Sequence, residues 1–340
     1  MANATPPNIA ADGTGHTLFC TDTFYGDHHD RLGDLAPGLS VVLLGPDDAT
    51  PEAITEATIA FMSRDVWPDR ARAFVNSLYQ ASGLDWFHVM SAGIDGDIFD
   101  TLKSRRVRIT RSAGASANAM AETVFMFLHG LGRDLRNAVD RYRTRDFSWR
   151  RWRELEDRTI AVLGYGPVGQ RIVHLALAYN MEPTIIRRTV RGDEPCPARP
   201  ITELADVAAS HDILVAALPI NDDTRGIISA DVIDGMPPGA LFVNVARGAL
   251  VDQPALTAAL QRGHLGGAGL DVFATEPPSD DDPLWDMPNV LITPHNSGAS
   301  HGSPQRVIEL FFDNLAAYLE QQPLLYEIDN DLLEPLTRKE

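Results

Sequence analysis

Three glycines spaced Gly164-x-Gly166-x-x-Gly169 lie between an apolar β-rich run, 159–163, and an amphipathic stretch, 168–178, and no other feature restricts the fold so tightly. A glycine triplet alone is a weak signal. A strand before it and a helix after it supply the context in which such a turn binds a dinucleotide. Gly164 permits the tight turn, Gly166 lets the backbone approach phosphate groups, and Gly169 lets helix and strand pack closely. Pro167 and Val168 open the helix, whose N-terminus offers free N–H groups and partial positive charge to a pyrophosphate. The bland alternative is a glycine-rich turn that holds nothing.

The surrounding pattern fits an α/β chain. Strand-like runs recur at 159–163, 184–186, 213–218, 241–245, 267–270 and 290–292, with helix-compatible stretches such as 253–262 between several of them. This alternation predicts a Rossmann-type doubly wound parallel sheet. The first third carries shorter runs at 41–44, 58–62, 86–90 and 107–110 with a helix predicted over 69–82, a second and smaller parallel-sheet unit. Between the two, 117–139 reads as one long helix with Met120, Val124, Phe127, Leu128, Leu131 and Leu135 at helical spacing and Ser116 as its cap. The segment 141–156 reads as a connector, and a last helix is predicted over 305–321. A length of 340 residues accommodates two domains.

Charge narrows the partners. The chain carries a net charge of −18 at pH 7, which opposes binding to nucleic acid or to an anionic membrane. An anionic coenzyme must then meet local positive groups. About 20 residues past the glycines, an Asp or Glu would accept hydrogen bonds from a ribose diol. Arg187, Arg188 and Thr189 stand there instead. Guanidinium groups match phosphate geometry, so NADP(H) is expected to be preferred, with NAD(H) as the second choice. An exposed basic pair that meets only water is the alternative.

Cys20 and Cys196 are far apart and form no metal-ligand pattern. With no signal-peptide pattern and no apolar run long enough to span a membrane, a cytoplasmic protein is expected. Asp27-His28-His29-Asp30 contains metal-ligand residue types at the wrong spacing for one helix face, so it reads as a polar loop and no metal site is expected.

Three further motifs follow the glycines: Asn-Val-Ala-Arg-Gly at 244–248, Asp-Val-Phe-Ala-Thr-Glu-Pro-Pro at 271–278, and Thr-Pro-His-Asn at 293–296. Reduction of a 2-oxo acid requires that its carboxylate be held, its developing alkoxide be stabilised, and a proton be delivered. Arg247 can bind a carboxylate and polarise a neighbouring carbonyl. His295 can exchange a proton near neutral pH. Glu276 can orient an imidazole through its second nitrogen. Each also has an unremarkable reading, as an ion-paired Arg, a loop His or a solvated Glu.

These motifs, in this order and spacing, resemble the D-isomer-specific 2-hydroxyacid dehydrogenase family, from about residue 84 to residue 317. The resemblance implies Arg247, Glu276 and His295 as the catalytic set. It implies that Asp271 holds the nicotinamide carboxamide, and that Pro219, Thr224 and the Val245–Ala246 backbone line the coenzyme. Ser91, Ala92 and Gly93, in the Ser-Ala-Gly-Ile-Asp run at 91–95, would meet the substrate, Ala92 and Gly93 through backbone N–H groups. It further implies a homodimer, and a flavodoxin-like substrate domain formed by 1–116 with 299–340 around a dinucleotide-binding domain over 117–298. The expected substrate is a small 2-oxo or D-2-hydroxy acid, with glyoxylate and hydroxypyruvate first. Ala92 differs from the lysine of related phosphite dehydrogenases, and Glu276 from the glutamine of related formate dehydrogenases. A second reading comes from the C-terminal-binding proteins, nucleotide-sensing corepressors with similar motifs. Under it this chain binds dinucleotide and turns over little.

Overall fold

A computed structural model describes residues 15–94 and 96–328. Residues 1–14, Asp95 and residues 329–340 lie outside the described residues. The chain divides into two compact units: Ser116–Ser300, and the segments that precede and follow it.

The first unit begins with β1 (Thr17–Thr21), α1 (Asp22–Leu35), β2 (Ser40–Leu44), β3 (Ile59–Met62), α2 (Ala71–Gln80), β4 (Trp86–Val89), α3 (Asp97–Ser104) and β5 (Arg108–Arg111). Its five strands are all parallel, in the order β2-β1-β3-β4-β5, the flavodoxin-like order. Every residue of β4 is buried, as expected of a parallel strand covered on both faces.

The second unit runs through α4 (Ala117–Gly132), α5 (Leu135–Thr144), β6 (Thr159–Leu163), α6 (Pro167–Ala178), β7 (Glu182–Arg187), β8 (Ala198–Pro200), α7 (Leu204–Ala208), β9 (Ile213–Ala216), α8 (Ala230–Gly235), β10 (Leu241–Asn244), α9 (Gln253–Gln261), β11 (Gly267–Leu270) and β12 (Val290–Ile292). The chain then returns to the first unit as α10 (Ser303–Leu319). Phe311 of α10 stacks on Phe61 and Trp86. The second sheet is parallel throughout, ordered β12-β11-β10-β9-β6-β7-β8. Strand order reverses between β6 and β9, and a crevice outside the carboxyl ends at such a point is where doubly wound sheets take ligands.

Register sharpens that statement. One cross-strand row links Ile292, Leu270, Asn244, Ala216, Leu163 and Ile186. Every residue of this unit that the sequence marked for chemistry follows its strand's member of that row.

Three local expectations are corrected. The 27–30 tetrad lies within α1, not in a loop. Thr21 caps that helix by accepting from the N–H of Phe24 at 3.1 Å, and buried Phe24 and Leu32 hold it down; its polar surface masks so sparse an apolar face. The helix expected over 117–139 breaks after Gly132. Asp134 takes a left-handed backbone (φ 53°) before α5 starts, and Arg136 ties the new helix down by donating to the carbonyl of Met287 at 2.6 Å. Ser116 stands at the N-cap of α4 without a side-chain capping bond.

The first core also contains a directed polar chain. Trp86 Nε1 donates to Thr110 Oγ1 at 2.8 Å, which lies 2.7 Å from His88 Nδ1. His88 Nε2 lies 3.0 Å from Ser112 Oγ, which donates to the carbonyl of Val89. These partners are all satisfied when His88 is neutral, with its proton on Nε2. Burial pushes that imidazole down to about 3.

Candidate active site

The glycine turn is built as its spacing predicts. Gly164 has φ +104° and accepts its place from Ile186, whose carbonyl takes the Gly164 N–H at 2.8 Å. A Cβ on Gly169 would overlap the carbonyl oxygen of Gly164, whereas one on Gly166 would meet nothing within 4 Å. The turn is therefore tight on its protein side and open above Gly166, as a pyrophosphate requires. Gly166 is the N-cap of α6 and has no side chain to satisfy the first-turn N–H groups. These residues fit a dinucleotide.

Beyond β9, the 219–224 loop closes on itself. Thr224 Oγ1 lies 3.0 Å from the Pro219 carbonyl, and Asn221 Oδ1 accepts from the Thr224 N–H at 2.9 Å. Beyond β10, Val245 and Ala246 bury their side chains, so only their backbone is left to line a ligand. Asn244, which motif reading passed over, shapes that turn. Its Oδ1 accepts from the Ala246 N–H and its Nδ2 donates to the Arg247 carbonyl. Its signal was present, since a buried amide at a strand end must find partners.

Arg247 directly follows that turn, partly exposed, with Nη1 donating to the Ala246 carbonyl at 2.8 Å. A Cβ on the next residue, Gly248, would overlap the backbone of Phe273 and Ala274. The Arg247 turn is thus pressed against the segment after β11. There Phe273 N–H donates to Glu276 Oε1 at 3.0 Å, and Glu276 Oε2 lies 2.7 Å from His295 Nδ1. Contacts run without a gap from the arginine turn to the imidazole.

His295 itself sits in the left-handed region (φ 48°). Its loop is held by Asp271, which is completely buried. The Asp271 carboxylate accepts from Thr293 Oγ1 at 2.6 Å, from the N–H groups of Asn296 and Ser297, and from the Ser297 hydroxyl. Both of its oxygens are used within the protein.

At the end of β7, Arg187 is paired with Glu194 at 2.8 Å, a carboxylate that sequence spacing did not associate with this position. Arg188 and Thr189 are exposed.

In the first unit, Ser91, Ala92 and Gly93 follow the end of β4. Ser91 Oγ donates to the Gly93 carbonyl at 2.5 Å, and Arg111 Nη1 donates to the Ala92 carbonyl at 3.3 Å. Arg111 also escaped sequence reading. Among the described residues no group of His, Cys, Asp and Glu is arranged to hold a metal ion.

Comparison with known proteins identifies the family of the fold that carries these residues. Residues 125–297 match the family model of the NAD binding domain of D-isomer specific 2-hydroxyacid dehydrogenases. A glycerate dehydrogenase of Methylorubrum extorquens is 29% identical over 81% of this chain and 88% of its own. A glyoxylate/hydroxypyruvate reductase B of Pectobacterium atrosepticum is 30% identical over 68% of this chain and 75% of its own. A D-isomer specific 2-hydroxyacid dehydrogenase from Xanthobacter autotrophicus, solved with NADPH and MES, superposes with a TM-score of 0.76 at 27% identity, covering 94% of this chain and 99% of that one.

Proposed function

The chain belongs to the D-isomer specific 2-hydroxyacid dehydrogenase family, and from that premise we propose an NADP(H)-preferring reductase of a small 2-oxo acid, with His295 as its acid/base. The 2.7 Å contact between His295 Nδ1 and Glu276 carries this reading.

An ionised carboxylate only accepts, so Nδ1 donates to Glu276, and the imidazolium keeps its second proton on Nε2. That nitrogen can protonate the carbonyl oxygen of a 2-oxo acid, and the neutral ring can recover a proton from the 2-hydroxy acid in reverse. The hydride would come from, or go to, a nicotinamide coenzyme when one is bound. Arg247 holds the substrate carboxylate and polarises the adjacent carbonyl. Asp271 commits both oxygens to the 293–297 turn, so its main contribution is to hold His295 in place, ahead of any contact with the carboxamide.

Preference for NADP(H) is supported by the exposed Arg188 just past the end of β7 and by the NADPH in the Xanthobacter relative. Glyoxylate and hydroxypyruvate are the substrates of first choice, by the name of the Pectobacterium relative. The product is the D-2-hydroxy acid.

We also propose that the active form is a homodimer in the cytoplasm. Tyr142, Phe147 and Trp149 are 84%, 104% and 76% exposed on α5 and the segment after it, an apolar surface that a second copy would cover. Cys20 and Cys196 are both free thiols, and no helix among the described residues is long and apolar enough to cross a membrane.

A panel of 2-oxo acids assayed with NADPH and with NADH tests the activity. Turnover of a small oxo acid that is lost in His295→Ala, with coenzyme binding retained, is expected. Full kcat in that variant overturns the role of His295. Dinucleotide binding with negligible turnover on every oxo acid returns the chain to the sensor reading.

A further inference from the structure

Arg187 is the last residue of β7, and the turn from β7 to β8 brings Glu194 back against it. The Glu194 side chain is only 2% exposed. Its Oε1 accepts from Arg187 Nη1 and from the Arg191 N–H, and its Oε2 from the Gly192 N–H at 2.7 Å. Those backbone amides, with the guanidinium, hold its carboxyl down to about 2, so it is ionised at any working pH. The Arg187 guanidinium also lies 5.5 Å from the ring centre of Tyr165, inside the glycine turn.

Arg187 is therefore neutralised and fixed before any ligand arrives. Turning it toward a phosphate would give up a charge-assisted hydrogen bond to a covered carboxylate, which then keeps only two backbone amides. Glu194 is equally unable to act as the acceptor of a ribose diol, because both oxygens are occupied and covered. Arg188 differs on each count. It is exposed, and no ion pair or hydrogen bond holds its side chain among the described residues.

On the reading that the coenzyme is NADP(H), we propose that Glu194 withdraws Arg187 from the adenosine 2′ subsite. It commits Arg187 to a wall shared with Tyr165 and leaves Arg188 as the guanidinium that reads the 2′-phosphate.

Calorimetric titration of NADP+ and NAD+ into the wild type, Arg188→Gln, Arg187→Gln and the double variant Arg187→Gln/Glu194→Gln tests this. In Arg188→Gln, NADP+ affinity is expected to fall about tenfold or more, the loss of charge-assisted hydrogen bonds, with NAD+ affinity and melting temperature unchanged. Arg187→Gln alone should melt lower, because it removes the charged partner of Glu194 and leaves that carboxylate two backbone amides. The double variant removes both charges and should keep the NADP+ to NAD+ ratio within about threefold, the range of a surface change. Loss of that ratio in the double variant with retention in Arg188→Gln makes Arg187 the reader and overturns the assignment. A wild type that binds NAD+ as tightly as NADP+ overturns the coenzyme reading itself, before any variant is compared, and the assignment with it.

Discussion

The backbone N–H of His295 donates to the carbonyl oxygen of Asp271 at 2.9 Å, joining the chain beyond β12 to the chain beyond β11. The side chain of the same aspartate gathers Thr293, Asn296 and Ser297. One buried residue thus fixes the turn that carries the imidazole. In Asp271→Asn, half of the carboxylate's acceptor capacity becomes a donor facing other donors. Stability should drop by about 1–3 kcal/mol, and kcat should fall with it. Thermal melts and steady-state turnover check both.

Glu276→Gln separates orientation from shape. The glutamine oxygen can still accept from the Phe273 N–H, but its amide then presents a donor to His295 Nδ1 where an ionised acceptor stood. The kcat in the reductive direction should fall by about 100-fold, the lower end of what a positioned acid contributes, while coenzyme affinity measured by titration stays the same. Unchanged kcat would remove Glu276 from the catalytic set.

Gly248→Ala should separate Arg247 from its neighbours. The added methyl must displace the Phe273–Ala274 backbone, and that backbone positions Glu276. A rise in KM for the oxo acid together with a loss of kcat is expected, alongside a lower melting temperature. A variant that melts lower but keeps both kinetic constants would show that the turn is packed for stability alone.

How far these relations could be read from residue order depends on the distance over which they act. The glycine turn was legible because its constraints are local, a strand before, a helix after, and a carbonyl that Gly169 must clear. Arg247, Glu276 and His295 were legible as residue types at strand ends, but the contact through Gly248 and Phe273 depends on register between β10 and β11. Glu194 was invisible for the same kind of reason. It lies seven residues after Arg187, and only the β7–β8 turn makes the two adjacent. In the first unit, α1 was missed because its exposed face dominates its composition, and the break at Asp134 because a left-handed residue interrupts a pattern that runs on through Leu135.

Acid should weaken the first unit through His88. Its imidazole is depressed to about 3 in the fold against 6.5 ordinarily. The unfolded chain therefore binds a proton that the folded chain does not between those values. The stability this residue contributes is whole above pH 6.5 and is lost as pH falls toward 3, by up to about 1.4 kcal/mol per unit. Protonation also makes Nδ1 a donor and sets it against its place in the chain through Thr110. His88→Gln should flatten that part of a denaturant-midpoint profile.

Replacing the exposed aromatics tests assembly. Phe147→Ser with Trp149→Ser should convert a dimer to monomers in light scattering, since neither side chain is buried within its own chain. A species of unchanged mass would place the subunit contact elsewhere.

The row from Ile292 to Ile186 acts as a waterline across the second sheet. Residues beneath it are wedged between two layers of helices, so substitutions there should be felt first as yield and heat tolerance. Residues above it hang from six parallel tethers of similar height. The loops after β10, β11 and β12 lean on one another through Gly248, Asp271 and Glu276, so they can be exchanged for a relative's only as a set.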